Sequence, residues 1–266
     1  MPVIHSSGNA TVKAIRGLRQ RKERDRSGRF YVEGIRLVGE AVDLRAEIEI
    51  CVVAPELLTS EFGWTTVDRA VEQGATRLEV SADVFRTLSH KEGPQGIAAV
   101  VRQRWAVLEE IVPGRELCLI ALASVQDPGN LGTILRTSDA VGAAGVILIG
   151  TATDPYDPGA VRASMGAIFS QHLVRASSDA LRDWKGRYDV RIVGTSNAAP
   201  VDYRDAVYTR PLTLFMGSER EGLTPEEAAL CDEMVRIPML GRGDSLNLAV
   251  ATGVMLYEVL RQHDIH

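Results

Sequence analysis

The sequence predicts an α/β protein in two parts, a small N-terminal αβ region followed by a mainly parallel sheet with helices on both faces. Three observations predict it. From residue 117 onward, short apolar runs (LCLIALASV, GVILIG, LTLFMGSE) alternate with segments of helical length and periodicity. The runs are apolar throughout rather than at every second residue, as in strands buried on both faces of a parallel sheet. Polar, glycine-containing pieces (QDPGN, GTSN, GSEREG, MLGRGDSLN) follow the strand runs, at the end where such sheets bind ligands.

The elements follow in order. AIRGLRQRKERD reads as a basic helix, and EGIRLVGEAVDL as a helix with its apolar positions at helical spacing. EIEICVVA is a strand. TRLEVSADVFRTLSH is a strand leading into a capped helix, and GIAAVVRQR is another strand. RWAVLEEIVPGRE, with Pro113 and Gly114, reads as a linker. The predicted domains are therefore 1–108 and 109–266. In the second, LCLIALASV is a strand, NLGTILRTSDAVGA a helix, GVILIG a strand and AVRASMGAIFSQHL a helix. VRIVGTSN, LTLFMGSE and MVRIPM complete the strands. TPEEAALCDE opens with a capping box from Thr224 to Glu227, and SLNLAVATGVMLYEVLRQ is the closing helix.

Composition narrows the class. The chain has 266 residues, 45% of them hydrophobic and 24% charged, as in ordinary globular proteins. It carries no apolar run of membrane-spanning length, and its first residues lack the apolar core of a signal peptide. Cys51, Cys118 and Cys231 are far apart, which fits buried thiols in a reducing cytoplasm and neither a disulfide framework nor a zinc site. The histidines also lack ligand spacing, so no metal is expected. Net charge is −5, yet residues 13–29 hold eight Lys or Arg against two acids. Such a cluster can grip phosphate on an acidic protein, or simply form a solvated helix face.

The glycine loops do not match common phosphate sites. VQDPGNLG lacks the GxGxxG spacing of a dinucleotide turn, and Gly217 to Gly222 is followed by Leu223 and Thr224 where a P-loop needs lysine and a hydroxyl. Asp154-Pro-Tyr156 shares part of the D/N-P-P-Y loop of amino-group methyltransferases but lacks one proline, and reads as a turn.

Three segments carry a resemblance: DPGNLGTILRTSDAVGAAGVIL (127–148), LFMGSEREGL (214–223) and IPMLGRGDSLNLAVATGVMLYE (237–258). In this order they resemble the SpoU/TrmH-type RNA ribose 2′-O-methyltransferases of the SPOUT superfamily. YDPGAVRASMGAIF (156–169) is similar to the family's intervening helix. KAIRGLRQRKERDRSGRFYVEGIRLVGEA and GPQGIAAVV look like its small αβ substrate-binding domain.

The resemblance implies a trefoil-knotted catalytic domain, S-adenosyl-L-methionine as cofactor, RNA as substrate and a homodimer formed through the C-terminal domain. It assigns Thr195, Gly217, Ile237 and Leu246 to the cofactor pocket. It assigns Asn130, Arg136, Glu219, Ser245 and Asn247 to catalysis, and Arg162 to RNA phosphate. The basic cluster then supplies Arg16, Arg19, Arg21 and Lys22 for RNA. Glycines at 217, 222, 241 and 243 are expected where the backbone must approach closely or adopt positive φ.

The residues also have plainer readings. Ile237 and Leu246 can be core, Asn130 can cap its helix, Glu221 can be a surface turn acid and Arg162 can form a surface salt bridge. Arg136 sits in an apolar stretch. Its guanidinium stays protonated, so gripping the phosphate beside the target ribose suits it better than acting as a base. Ribosomal RNA, 23S in particular, is the favoured substrate, with transfer RNA the alternative. A non-catalytic RNA-binding factor of the same fold would have lost some of Asn130, Arg136, Glu219 or Asn247, and all four are present. A pyrimidine-C5 enzyme would show a Pro-Cys motif, and none occurs.

Overall fold

The computed structural model describes residues 3–90, 92–114 and 116–263. In chain order the elements are α1 (Ala10–Gly17), α2 (Arg21–Ser27), β1 (Arg29–Glu33), α3 (Ile35–Asp43), β2 (Ile48–Val53), α4 (Glu61–Glu72), β3 (Thr76–Glu79), α5 (Ala82–Leu88) and β4 (Ile97–Arg102). These are followed by β5 (Leu119–Ala123), α6 (Pro128–Ala140), β6 (Gly145–Ile149), α7 (Pro158–Ser164), β7 (His172–Ala176), α8 (Ser178–Tyr188) and β8 (Arg191–Thr195). The chain ends with β9 (Val201–Asp202), β10 (Leu212–Met216), α9 (Pro225–Ala228), β11 (Glu233–Arg236) and α10 (Leu248–His263). It divides into two compact units. One is Met1–Gln103 with Tyr156–Phe169, and the other is Arg104–Pro155 with Ser170–His266.

The first unit is built on a four-stranded sheet of order β1-β4-β2-β3, antiparallel except for the parallel pair β2/β3. Val12 and Ile15 of α1 and Val84 and Phe85 of α5 close one face over Tyr31, Val52, Leu78 and Val100. The predicted basic helix is in fact two short ones, α1 and α2, separated by Leu18–Gln20. Their arginines divide accordingly. Arg24 is buried and donates to the Leu18 and Arg19 carbonyls at 3.0 and 2.9 Å, with Asp157 at 3.5 Å.

The second unit carries a seven-stranded sheet, β7-β6-β5-β10-β8-β11-β9, every pair parallel. Strands β5, β6 and β10 are buried along their whole length, as continuous apolar runs require. Leu119, Ala121, Ile147 and Phe215 pack with Leu181 and Trp184 of α8 on one face. The intervening side chains point the other way, where α6 and α10 pack on each other and on β6 and β10.

Two further sequence expectations differ from the structure. AVRASMGAIFSQHL is not one helix. Helix α7 stops at Ser164 because Met165 (φ 53) and Gly166 (φ 107) turn left-handed. A side chain at Gly166 would also meet Glu40 Cγ at 2.8 Å. The last two residues of that segment, His172 and Leu173, open strand β7 at the sheet edge. The closing helix begins at Leu248 rather than Ser245. Among the described residues no helix is long and apolar enough to cross a membrane.

Candidate active site

Parallel strands put their carboxyl ends on one side, so Thr195 ending β8, Gly217 after β10 and Ile237 after β11 converge. A cavity of about 380 Å³ opens there. Thr195, Gly217, Ile237 and Leu246 all line it, as do Glu219 and Ser245. Ile237 and Leu246 are half-buried and border this space, so the plain core reading does not describe them. Met216, Met239 and Leu248 add apolar wall, and Asn197, Ser218, Glu221 and Asp244 add polar groups. Asn197 donates its amide to the Asp244 carbonyl, tying the loop after β8 to the loop before α10.

Gly217 has no room for a side chain, since a Cβ would sit 2.5 Å from the Gly222 Cα, against the turn closed by the Ser218–Gly222 backbone pair. Gly222 has φ 71, which only glycine adopts readily. The other two glycine expectations are not met. Gly241 and Gly243 have ordinary φ, Gly241 has open space around it, and Gly243 meets nothing closer than 3.9 Å.

A polar chain of three side chains adjoins the cavity. Helix α6 starts at Pro128 and is capped by Asp127, whose carboxylate accepts from Asn130 N at 2.6 Å. Asn130 is therefore not the cap, and its side chain is free for other partners. It donates to Glu219 Oε1 at 3.3 Å and accepts from Asn247 Nδ2 at 2.9 Å. Glu219 Oε2 also takes the Gln126 N–H at 3.4 Å. Asn247 Oδ1 caps α10 by accepting from Ala249 N and Val250 N. One amide thus fixes a helix start and orients Asn130. Asn247→Ala is expected to cost about 1 kcal/mol, lowering the melting temperature by about 2–4 °C. Asn247→Asp should keep the cap while losing the bond to Asn130. Thermal melts of both variants check this.

Arg136 lies two turns along α6 on its exposed side, while Leu131, Ile134, Leu135 and Ser138 face inward. It is exposed rather than lodged at a core face, and among the described residues it has no hydrogen bond or ion pair. Glu219 is engaged by Asn130 and Gln126 and, among the described residues, forms no ion pair with Arg136. Ser245 is exposed and reaches only Asp244, at 3.3 Å.

The remaining predicted residues belong to the first unit. Arg16 donates to Thr87 Oγ1 at 2.8 Å, and Arg19 to the Thr87 and Ser89 carbonyls at 3.1 and 2.9 Å. Both hold α1 against the end of α5. Arg21 is exposed with Asp25 at 3.6 Å, and Lys22 is exposed. Arg162 is exposed on α7.

Gln126, Asn197 and Asp244 were not predicted as site residues, although each stands in a loop the sequence marks. Their roles depend on which loops the sheet order brings together. Burial pushes all three cysteine thiols up to about 12, so none is a thiolate nucleophile near neutral pH. Among the described residues no cluster of metal-ligating side chains occurs.

Comparison with known proteins decides the family. Residues 118–257 match the SpoU rRNA Methylase family, and residues 9–99 match the MRM3-like substrate binding domain. The chain belongs to the SpoU rRNA methylase family. SpoU-family relatives of similar length include the 23S rRNA (uridine(2479)-2′-O)-methyltransferase of Streptomyces viridochromogenes, 33% identical over 92% of this chain and 87% of that one. The 23S rRNA (guanosine(2553)-2′-O)-methyltransferase RlmP of Bacillus subtilis is 31% identical over 97% and 99%. An AdoMet-bound rRNA methyltransferase from Sinorhizobium meliloti superposes with a TM-score of 0.91, at 40% identity over 100% and 99% of the two chains.

Proposed function

We propose that this SpoU-family chain transfers a methyl group from S-adenosyl-L-methionine to a ribose 2′-hydroxyl of 23S ribosomal RNA. The observation that carries the reading is the cavity at the carboxyl ends of β8, β10 and β11. It collects Thr195, Gly217, Ile237 and Leu246 beside the Asn130–Glu219–Asn247 chain.

The cavity suits this cofactor. Its volume lies within the roughly 300–1,000 Å³ of small-molecule sites. Ile237, Leu246 and Met239 offer apolar surface for an adenine, and Glu219, Glu221 and Asp244 offer negative charge to a sulfonium and an ammonium. Bound there, the cofactor supplies an activated methyl group, which is the difficult part of the chemistry.

The chain's own residues do the positioning. Thr195, Gly217, Ile237 and Leu246 hold the cofactor, with Gly217 keeping the loop backbone close. Glu219 and Asn247 fix Asn130, and Asn130 fixes the start of α6, the helix that carries Arg136. The Arg136 guanidinium grips the phosphate next to the target ribose and sets the hydroxyl in line with the methyl carbon. Such placement supplies a large part of the rate in group transfer. Ser245, at the cavity rim, contacts the target hydroxyl.

Residues 1–108 serve as the RNA substrate-binding domain, with Arg21 and Lys22 facing phosphate, and Arg162 of α7 faces phosphate as well. Arg16 on α1 and Arg19 in the turn after it contribute through their positions. The trefoil knot belongs to the same proposal, supported by the late strand β10 lying between the early β5 and β8. So does a homodimer through the C-terminal domain, supported by exposed Leu240, Val250 and Tyr257. A cytoplasmic location belongs to the same proposal, supported by a ribosomal substrate and by the unpaired Cys51, Cys118 and Cys231.

The test is methyl transfer from labelled S-adenosylmethionine to unmodified ribosomal and transfer RNA. Label is expected in the large ribosomal RNA. Label only in transfer RNA would change the substrate, and cofactor binding without transfer to any RNA would contradict the enzymatic reading.

A further inference from the structure

The first unit contains a second built pocket, of about 230 Å³, walled by β1, α3, α7 and the turn after α5. Its lining combines Tyr31, Glu33, His90 and Arg162 with apolar Leu37 and Val161. Glu33 is a buried carboxylate, 6% exposed. It is fixed by Ser89 Oγ at 2.6 Å on one oxygen and by the His90 backbone N–H at 2.9 Å on the other. Each oxygen keeps a further lone pair as acceptor.

The Tyr31 phenol is equally buried, and among the described residues its oxygen has no hydrogen-bond partner. Burial and the neighbouring Glu33 push its pKa well up, so the phenol remains a donor. A buried, unpaired hydroxyl costs about 1–3 kcal/mol and is uncommon enough in a native interior to need a partner. The His90 ring lies against Tyr31, centroids 6.0 Å apart. Arg162 is exposed at the rim and, among the described residues, has no ion pair. The pocket thus presents a fixed acceptor beside a donor, aromatic and apolar walls and a free guanidinium.

We infer that this pocket holds one unpaired nucleotide of the RNA. Its base offers an exocyclic amino group to Glu33 and a ring acceptor to Tyr31, and its phosphate meets Arg162. Adenine, cytosine and guanine carry that amino group, and uracil does not. The volume lies below the range of drug-sized sites, about 300–1,000 Å³, which suits a single base. Recognition of splayed-out bases by aromatic walls and edge hydrogen bonds is how proteins commonly read single-stranded RNA. The inference rests on the RNA-methyltransferase reading and adds a second contact point, selective for the base.

The experiment titrates the full chain with AMP, CMP, GMP, UMP and inorganic phosphate, following backbone amide resonances. The expected result is saturable shifts at residues 31–37, 89–90 and 158–162 with at least one of AMP, CMP or GMP. UMP should bind about ten-fold more weakly or not at all. Glu33→Gln should abolish the preference for amino-bearing bases. Tyr31→Phe, which removes one oxygen and leaves the packing, should weaken binding several-fold. Equal response to UMP and inorganic phosphate would reduce the pocket to an anion site and overturn the inference. Shifts confined to the cavity around residues 195–251 would overturn it as well. S-adenosylmethionine titrated in parallel separates the two readings, because its failure to bind would strike at the methyltransferase assignment and leave the nucleotide result to stand by itself.

Discussion

Replacing Arg136 by lysine should reduce methyl transfer by about 100-fold or more while leaving the fold and cofactor affinity unchanged. The side chain is exposed on α6 and, among the described residues, has no hydrogen bond or ion pair. Its removal therefore leaves no buried partner stranded, and a surface change of this kind costs at most about 0.5 kcal/mol. Lysine keeps the charge but loses the planar fork that clamps a phosphate through two parallel bonds. The loss should fall mainly on turnover, because the proposed clamp places the ribose hydroxyl against the methyl carbon. Single-turnover assays with saturating RNA, beside calorimetric titration of the cofactor, measure both quantities. Near-wild-type turnover in Arg136→Lys would show that charge alone suffices and that the clamp is not the source of the rate.

Gly217→Ala is expected to have the largest effect on cofactor binding. The new methyl group would lie 2.5 Å from the Gly222 Cα, and backbone cannot swing aside as a long side chain can. The Ser218–Gly222 turn must move, and with it Glu219, which holds Asn130 and the Gln126 N–H. Overpacking of this kind costs about 1–3 kcal/mol. If most of that cost falls on the cavity wall, affinity for S-adenosylmethionine drops about ten-fold or more, since 1.4 kcal/mol is a factor of ten. Calorimetry together with a thermal melt shows where the cost falls. A variant that melts early but binds normally would mean that the loop is rigid for stability alone.

The parallel sheet was readable because its strands are buried on both faces and so appear as unbroken apolar runs. Strand β7 was missed because it lies at the sheet edge and has an exposed His172 and Arg175, so its run is short and broken. The break after α7 was missed because a non-glycine residue, Met165, takes the left-handed turn, a conformation that side-chain chemistry does not announce. Helix starts shifted for a similar reason. Asp127 rather than Asn130 caps α6, and Asn247 caps α10, which starts at Leu248 rather than Ser245. Several side chains in each loop can cap, and only the geometry selects one.

The candidate site divides along the same line. Thr195, Gly217 and Ile237 stand at strand ends, which a parallel sheet puts on one side, and Leu246 follows in the loop between β11 and α10. The bonds joining Asn130, Glu219 and Asn247 span 89 and 117 residues of sequence, and no local pattern reveals them. Arg136 shows the opposite limit. Its apolar neighbours in sequence suggested a core position, but helical periodicity turns it outward. The basic cluster is continuous in sequence, yet Arg24 is buried and Arg16 and Arg19 brace α5.

The most direct measurement is the chemical position of the transferred methyl group. Ribosomal RNA methylated by the full chain with labelled S-adenosylmethionine is hydrolysed in alkali, which cleaves only where a free 2′-hydroxyl is present. The products are then resolved by mass. The label is expected to survive in an alkali-resistant dinucleotide carrying a 2′-O-methyl ribose. Label in a mononucleotide with a methylated base would overturn ribose methylation and would require a different role for Arg136 and its neighbours.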